Sequence, residues 1–298
     1  MKPEWLSIRP ASTEKYNSIK SRIKEMGLHT VCTEAHCPNI TECWSSGTAT
    51  FMVLGDVCTR GCHFCAVNKG RSGISVDSVE PKKLAQLIKE WKLDYAVITS
   101  VCRDDLEDQG ASHFANCILE IKKEAPQTLV EVLIPDFRGD VEALKRIVDA
   151  KPDVIGHNIE TVRRLSPEIR DKRATYETSL SVLRNAKALD KRIYTKSSMM
   201  LGIGETDEEI LEAMADLRSA GVDFLAIGQY LKPMSNGFYV DVKEYVTPER
   251  FEVLRKKAIE SGFLYCAAGP FVRSSYKAGE HFIKSIIKPL SAKVPGIL

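Results

Sequence analysis

From residue 50 onward the chain alternates short apolar runs with amphipathic stretches, and this alternation predicts the fold. Apolar runs at 50–55, 94–100, 129–134, 153–157, 193–202 and 222–228, with a possible seventh at 263–267, have the length and composition of strands. The intervening stretches 80–91, 112–124, 140–150, 177–190, 206–220 and 248–261 repeat their apolar residues at helical spacing. Asp207, Glu208 and Glu209 would place acids in a first helical turn, where the helix dipole favours them. Gly221 and Gly262 stand where C-terminal stops are expected. A repeated strand–helix order implies parallel strands covered by helices. Six such units are fewer than the eight of a closed barrel, so the expectation is an α/β fold: a partial, open (β/α)6 TIM-type barrel. Chemistry in such a barrel belongs at the C-terminal strand ends. Cys58, Arg103, Asn158, Lys196 with Ser197, and Gln229 all fall near them.

The first 48 residues read differently. Pro3 and Pro10 suggest an extended arm over residues 1–12. Ile19, Ile23 and Met26 then recur at helical spacing up to Gly27, although Thr13 and Tyr16 make no capping box. Residues 28–48 carry Pro, Asn, Ser and Gly throughout and predict a loop braced by a bound metal rather than by secondary structure. Pro289 and Pro295 mark residues 288–298 as a tail. The expected organisation is an N-terminal extension over 1–48, a barrel over 49–268 and a C-terminal extension over 269–298.

Composition narrows the class. At 298 residues and 44% hydrophobic, the chain can bury a large core. A net charge of +2 without a basic block argues against a nucleic-acid or membrane surface. No apolar run approaches the length of a membrane span, and Met1–Arg22 lacks the apolar centre of a signal peptide. Nine cysteines, an odd number and clustered, suit metal binding in a reducing compartment, so a cytoplasmic location is expected.

The chemistry is concentrated in those cysteines. Cys58, Cys62 and Cys65 are spaced C-x3-C-x2-C directly after the apolar run at 50–55, and Cys32, Cys37 and Cys43 are spaced C-x4-C-x5-C just upstream. Thiolates at such spacings hold zinc or an iron–sulfur cluster. Structural zinc takes four protein ligands, whereas a reactive centre keeps one position open. Each set here offers three. A pair of zinc knuckles would need His36 or His63 as the fourth ligand, and both lie one or two residues from a cysteine, where chelation is strained.

C-x3-C-x2-C with Phe64 before the last cysteine resembles the signature of the radical S-adenosylmethionine superfamily. The likeness is closer to one family. Cys37-Pro38-Asn39, Glu42-Cys43-Trp44, Gly47-Thr48-Ala49-Thr50-Phe51-Met52 and Gly55-Asp56-Val57-Cys58-Thr59-Arg60 resemble the lipoyl synthases. So do Arg103-Asp104-Asp105-Leu106, His157-Asn158-Ile159-Glu160-Thr161, Gly202-Ile203-Gly204-Glu205-Thr206, Gly228-Gln229-Tyr230-Leu231 and Arg273-Ser274-Ser275-Tyr276. Together these span about residues 30 to 280.

The resemblance implies a 4Fe–4S cluster on Cys58, Cys62 and Cys65 whose free iron binds S-adenosylmethionine. It implies a second such cluster on Cys32, Cys37 and Cys43, the sulfur source, with Ser275 as its fourth ligand and Ser274 the second choice. Without the resemblance, both serines read as a cap on a helix over 277–288. It further implies two sulfur insertions, at C6 and C8 of an octanoyl-lysine on a lipoyl carrier domain such as glycine-cleavage H protein or a 2-oxo acid dehydrogenase E2. A low-potential donor, ferredoxin or flavodoxin, follows from the same likeness, and a monomer is expected.

The remaining polar candidates are Arg103, as a clamp on cofactor or substrate or else a solvated helix start, and Asn158 with Glu160, for the ribose or methionine part of the cofactor. Lys196 reads as an active-site cation or a snorkelling surface lysine. Gly202-Ile203-Gly204 reads as a turn, with a phosphate loop as the weaker alternative. Cys102, Cys117 and Cys266 stand apart and should pack as small hydrophobes. The chain departs from the family at Cys102, at Gln109-Gly110 and at Arg71-Ser72-Gly73.

Overall fold

Apolar on both faces, the runs predicted as strands need cover on both sides, and a parallel sheet wrapped by helices supplies it. The computed structural model describes residues 3–7, 13–45, 49–234, 237–275 and 285–287. In chain order its strands are β1 (His29–Thr30), β2 (Thr50–Val53), β3 (Val57–Cys58), β4 (Asn68–Lys69), β5 (Tyr95–Ser100), β6 (Leu129–Leu133), β7 (Val154–Gly156), β8 (Tyr194–Leu201), β9 (Phe224–Gln229) and β10 (Tyr265–Gly269). Its helices are α1 (Glu14–Met26), α2 (Val31–Glu34), α3 (Ile40–Ser45), α4 (Glu80–Glu90), α5 (Ala111–Glu124), α6 (Val141–Asp149), α7 (Ser166–Ile169), α8 (Tyr176–Leu189), α9 (Asp207–Ser219) and α10 (Pro248–Glu260).

The main sheet has eight strands in the order β1-β2-β5-β6-β7-β8-β9-β10, all parallel except β1, which pairs antiparallel with β2. Among the described residues no ladder joins β10 back to β1, so the barrel is open, as the six strand–helix units implied. The acidic first turn of α9 and the glycine stops act as expected, and a capping box is added to them. Thr206 and Glu209 make a reciprocal capping box for α9, and Gly27, Gly221 and Gly262 take left-handed φ after α1, α9 and α10. Thr13 caps α1 by accepting from the Tyr16 N–H.

The cysteine-rich 28–48 segment is not the plain loop that its composition suggested. It holds β1, α2 and α3, because the Thr30 hydroxyl accepts from Thr33 N–H at 3.3 Å and buried Cys43 and Trp44 give α3 an apolar face. Trp44 packs on Tyr16 with ring centroids 5.2 Å apart, joining this segment to α1 and to the barrel core. Two elements had no clear sequence signal: the two-stranded β3–β4 ladder and the single turn of α7. Strand β2 ends two residues sooner than its apolar run because Leu54 and Gly55 both turn left-handed.

The strands sort the barrel interior into levels. Their first residues, including Tyr95, Val154 and Phe224, gather with Ile287 into an apolar plug. Each such buried side chain contributes about 1.5–3 kcal/mol. Glu131 and Lys196, each the third residue of its strand, form a buried ion pair near this end. The opposite, C-terminal ends open into a cavity.

Candidate active site

The cavity has a volume of about 560 Å³ and is lined at the strand ends by Ser100, Leu133, Asn158, Met200 and Gly228, among others. All six cysteines of the two sets line it. All nine cysteines of the chain are free thiols.

The loop carrying Cys58, Cys62 and Cys65 is closed at its base by the parallel β3–β4 pair, with Gly70 N–H donating to Cys58 C=O at 3.0 Å. Arg60 projects from it into a buried acidic nest. Its Nε and Nη2 each donate to Asp104 at 3.0 Å, and its Nη1 donates to Asp136 at 2.5 Å. Asp104 also accepts from Thr59 Oγ1 at 2.8 Å and from Arg138 at 2.9 Å, while Asp171 accepts from Gly61 N–H at 2.8 Å. Burial alone would raise the Asp104 and Asp136 carboxyls, yet the Arg60 hydrogen bonds outweigh it and hold both below the usual range. Arg60, Asp136 and Asp171 escaped the sequence reading. Arg60 sat inside the motif with nothing to mark its direction, and the two acids come from distant loops.

Backbone N–H groups reach two of the sulfurs. Arg60 N–H donates to Cys58 Sγ at 3.4 Å and Asp171 N–H to Cys62 Sγ at 3.3 Å. Burial pushes the thiols of Cys32 and Cys62 up to about 11 and that of Cys65 to about 12, and also raises Cys37. Cys58 is shifted down instead, by the neighbouring Cys102 thiol first and by the Arg60 N–H next. Cys102 therefore lines the cavity beside a site cysteine, whereas Cys117 and Cys266 pack in the core as expected. The indole N–H of Trp44 is buried close to Cys32 and favours its ionised form. Buried thiols ionise when a metal supplies the opposing charge. Two sets of three convergent thiols with amide N–H donors thus fit thiolate-bound iron with a position left open in each set. His63 does not line the cavity but packs edge-on against Phe238, 4.9 Å between ring centroids, while His36 does line it.

The second set is tied to the far end of the chain. Asn39 Nδ2 donates to Phe271 C=O at 2.6 Å, and Ser274 Oγ donates to Asn158 Oδ1 at 3.1 Å. Residues 270–275 form a strap beside Gly228, where any Cβ would overlap the Val272 carbonyl. Arg273 turns its Nη1 onto Val272 C=O at 2.7 Å; burial lowers its pKa, and its charge favours an ionised Cys37. Ser275 lines the cavity. The helix expected over 277–288 and Tyr276 lie outside the described residues, apart from a helical turn at 285–287.

Phe64, Asn158 and Glu160 face the cavity as the pattern placed them. Asn158 Nδ2 donates to Glu160 at 3.2 Å, and burial raises the Glu160 carboxyl. Arg103 and Lys196 do not line it. Arg103 is buried and locked on Asp105 by two 2.9 Å hydrogen bonds, neither a solvated helix start nor a group facing the cavity. Lys196 lies two residues into β8, too near the closed end of the barrel, with Nζ 2.8 and 2.9 Å from the Glu131 oxygens; it is no surface lysine. The Gly202-Ile203-Gly204 turn is filled by the chain itself, since all three N–H groups donate to the Glu205 carboxylate. Gln229 spends its amide on backbone groups of Leu201, Tyr230, Glu244 and Val246.

Residues 52–217 match the family model of the radical SAM superfamily. Among solved structures, the fold resembles methylornithine synthase (TM-score 0.55, 12% identity, 81% of each chain covered). It also resembles the FeFe-hydrogenase maturase HydG from Carboxydothermus hydrogenoformans (TM-score 0.52, 15% identity, 80% of this chain and 66% of that one). Sequence relatives are much nearer. A lipoyl synthase of Halobacterium salinarum is 53% identical over 96% of this chain and 93% of its own length. One of Anaeromyxobacter is 51% identical over 99% and 98%. An apicoplast lipoyl synthase of Plasmodium knowlesi is 50% identical over 96% of this chain, which spans 64% of that longer protein. Half-identity along nearly the full length, with both cysteine sets opening on one cavity, places the chain in the lipoyl synthase family of the radical SAM superfamily.

Proposed function

We propose that this chain inserts two sulfur atoms, at C6 and C8, into an octanoyl group carried on a lysine of a lipoyl carrier domain. The observation that carries this is the convergence of two three-thiol sets and the strap serines on one cavity. Cys58, Cys62 and Cys65 would hold one 4Fe–4S cluster, and Cys32, Cys37 and Cys43 with Ser275 the other. Bound there, the clusters and S-adenosylmethionine supply hydrogen-atom abstraction from unactivated C–H bonds and the sulfur itself.

The chain's own residues do the rest. Phe64, Asn158 and Glu160 line the wall beside the Cys58–Cys65 loop and would orient S-adenosylmethionine. Ser274 is engaged with Asn158, which supports Ser275 as the ligand of the second set. Leu133, Met199, Met200 and Leu231 give the acyl chain an apolar wall that excludes water. The Arg60 nest keeps the loop from shifting as charge changes on its sulfurs. Carrier partners of this class are glycine-cleavage H protein and 2-oxo acid dehydrogenase E2 domains, with ferredoxin or flavodoxin as electron donor. The protein would work as a monomer in the cytoplasm. Among the described residues no helix is long and apolar enough to cross a membrane.

Anaerobically reconstituted protein should hold about eight irons and eight acid-labile sulfides per chain. Stoichiometric zinc without labile sulfide would sink the proposal. Replacing Cys58, Cys62 and Cys65 by Ala should abolish reductive cleavage of S-adenosylmethionine. Replacing Cys32, Cys37 and Cys43 should leave abortive cleavage while ending lipoyl formation. Ser275→Ala should behave like the second group, and lipoyl formation at the parent rate would remove Ser275 from the ligand set.

A further inference from the structure

The chain enters the Cys58–Cys65 loop through a backbone that a leucine does not choose by itself. Leu54 has φ 69° and the following Gly55 φ 86°, two left-handed residues in succession at the end of β2. A buried, branched side chain in that conformation persists only where its surroundings impose it. Here both backbone groups of Leu54 are held by charged side chains. Its N–H donates to Glu80 Oε2 at 3.0 Å, and its C=O accepts from Arg103 Nη1 at 3.1 Å.

Each holder is itself held. Glu80 Oε2 lies 2.6 Å from His113 Nε2, and the Arg103 guanidinium is forked onto Asp105, which also accepts from Gly73 N–H at 3.2 Å. Glycines make the room: a Cβ on Gly110 would strike the Leu54 side chain, and one on Gly73 would strike the Arg103 guanidinium. Cys58 follows four residues after Leu54, in the β3–β4 ladder that closes the cysteine loop. The direction in which β2 hands over to that loop is therefore set at Leu54.

We infer that Glu80 and Arg103 are positioning residues: by clamping the left-handed Leu54 from both sides, they aim the Cys58–Cys65 loop at the cavity. The inference rests on the proposed function for what the loop holds, but the clamp itself is a property of the polypeptide. Glu80 and His113 of the Glu80–His113–Cys117 cluster, whose ligand atoms lie within 4.8 Å of one another, both serve this clamp.

The test is hydrogen exchange of the iron-free full chain, read peptide by peptide, together with iron content and the reduced-cluster EPR spectrum of the reconstituted protein. Glu80→Ala should speed exchange at residues 54–70 by roughly tenfold, the factor expected when a buried N–H loses its acceptor. Exchange in α9 and α10 should stay at the parent rate. Glu80→Gln keeps an oxygen acceptor for Leu54 N–H and should restore slow exchange. In reconstituted Glu80→Ala the EPR signal of the cluster on Cys58, Cys62 and Cys65 should broaden or shift. Unchanged exchange at 54–70, acceleration spread evenly over the chain, or no rescue by Gln would overturn the inference. A parent protein that binds no iron would defeat the proposed function instead, leaving the exchange result to decide the clamp.

Discussion

Lys196 offers a sharp perturbation because its position separates a role in the fold from a role in the cavity. Its Nζ sits 2.8 and 2.9 Å from the two Glu131 oxygens, and Glu131 accepts a further 2.5 Å hydrogen bond from Tyr95. The two charged side chains are 5% and 1% exposed, so neither can turn to water if its partner is lost. Lys196→Met would strand a carboxylate among Tyr95, Val97 and Phe224, at a cost of about 3–5 kcal/mol. At roughly 2–4 °C per kcal/mol for a chain of this size, the apparent Tm should fall by about 10 °C. Pairing it with Glu131→Gln removes the stranded charge and keeps an acceptor for the Tyr95 hydroxyl, so most of the loss should return. Thermal unfolding followed by circular dichroism measures both variants, and calorimetry measures their affinity for S-adenosylmethionine. Lys196→Met that keeps its Tm but loses that affinity would refute the assignment to the barrel core. So would a double variant no more stable than the single one.

Other contacts carry predictions of their own. Burial lowers the pKa of His157 to about 4, so the folded state keeps it neutral while an unfolded chain protonates it near 6.5. The unfolded state then binds more protons below that pH, and stability should fall by about 2 kcal/mol on acidification to pH 5. Denaturant titrations should show this slope in the parent and lose it in His157→Asn. Gly228→Ala drives a methyl into the Val272 carbonyl and should lift the strap; iron should be lost at the Cys32–Cys43 set while cleavage of S-adenosylmethionine survives. Arg60→Lys keeps the charge but not the fork between Asp104 and Asp136, so iron retention under chelator challenge should weaken even where the fold survives.

Local order in the chain was enough to predict the open α/β architecture and to mark the two cysteine sets as candidate metal donors. Continuous apolar runs and period-3.6 patterns placed the seven parallel strands and the six long helices that wrap them to within a few residues, and cysteine spacing is chelate geometry in one dimension. The short α2 and α3 were missed because their stability comes from Trp44 meeting Tyr16 and the core, not from their own composition. Arg103 and Lys196 share one further lesson. Both are basic residues near strand ends, and pattern sends such residues to the cavity. Glu131, distant in the chain, decides the direction of Lys196, whereas Arg103 is forked onto Asp105 two residues on and reaches the carbonyl of a left-handed Leu54. Only the tertiary structure could bring Asn39 to Phe271, Arg60 to Asp136, and Ser274 to Asn158, across separations of up to 232 residues. A buried charge goes where its counter-charge is, and for Lys196 and Arg60 the fold, not the neighbouring sequence, fixes where that lies.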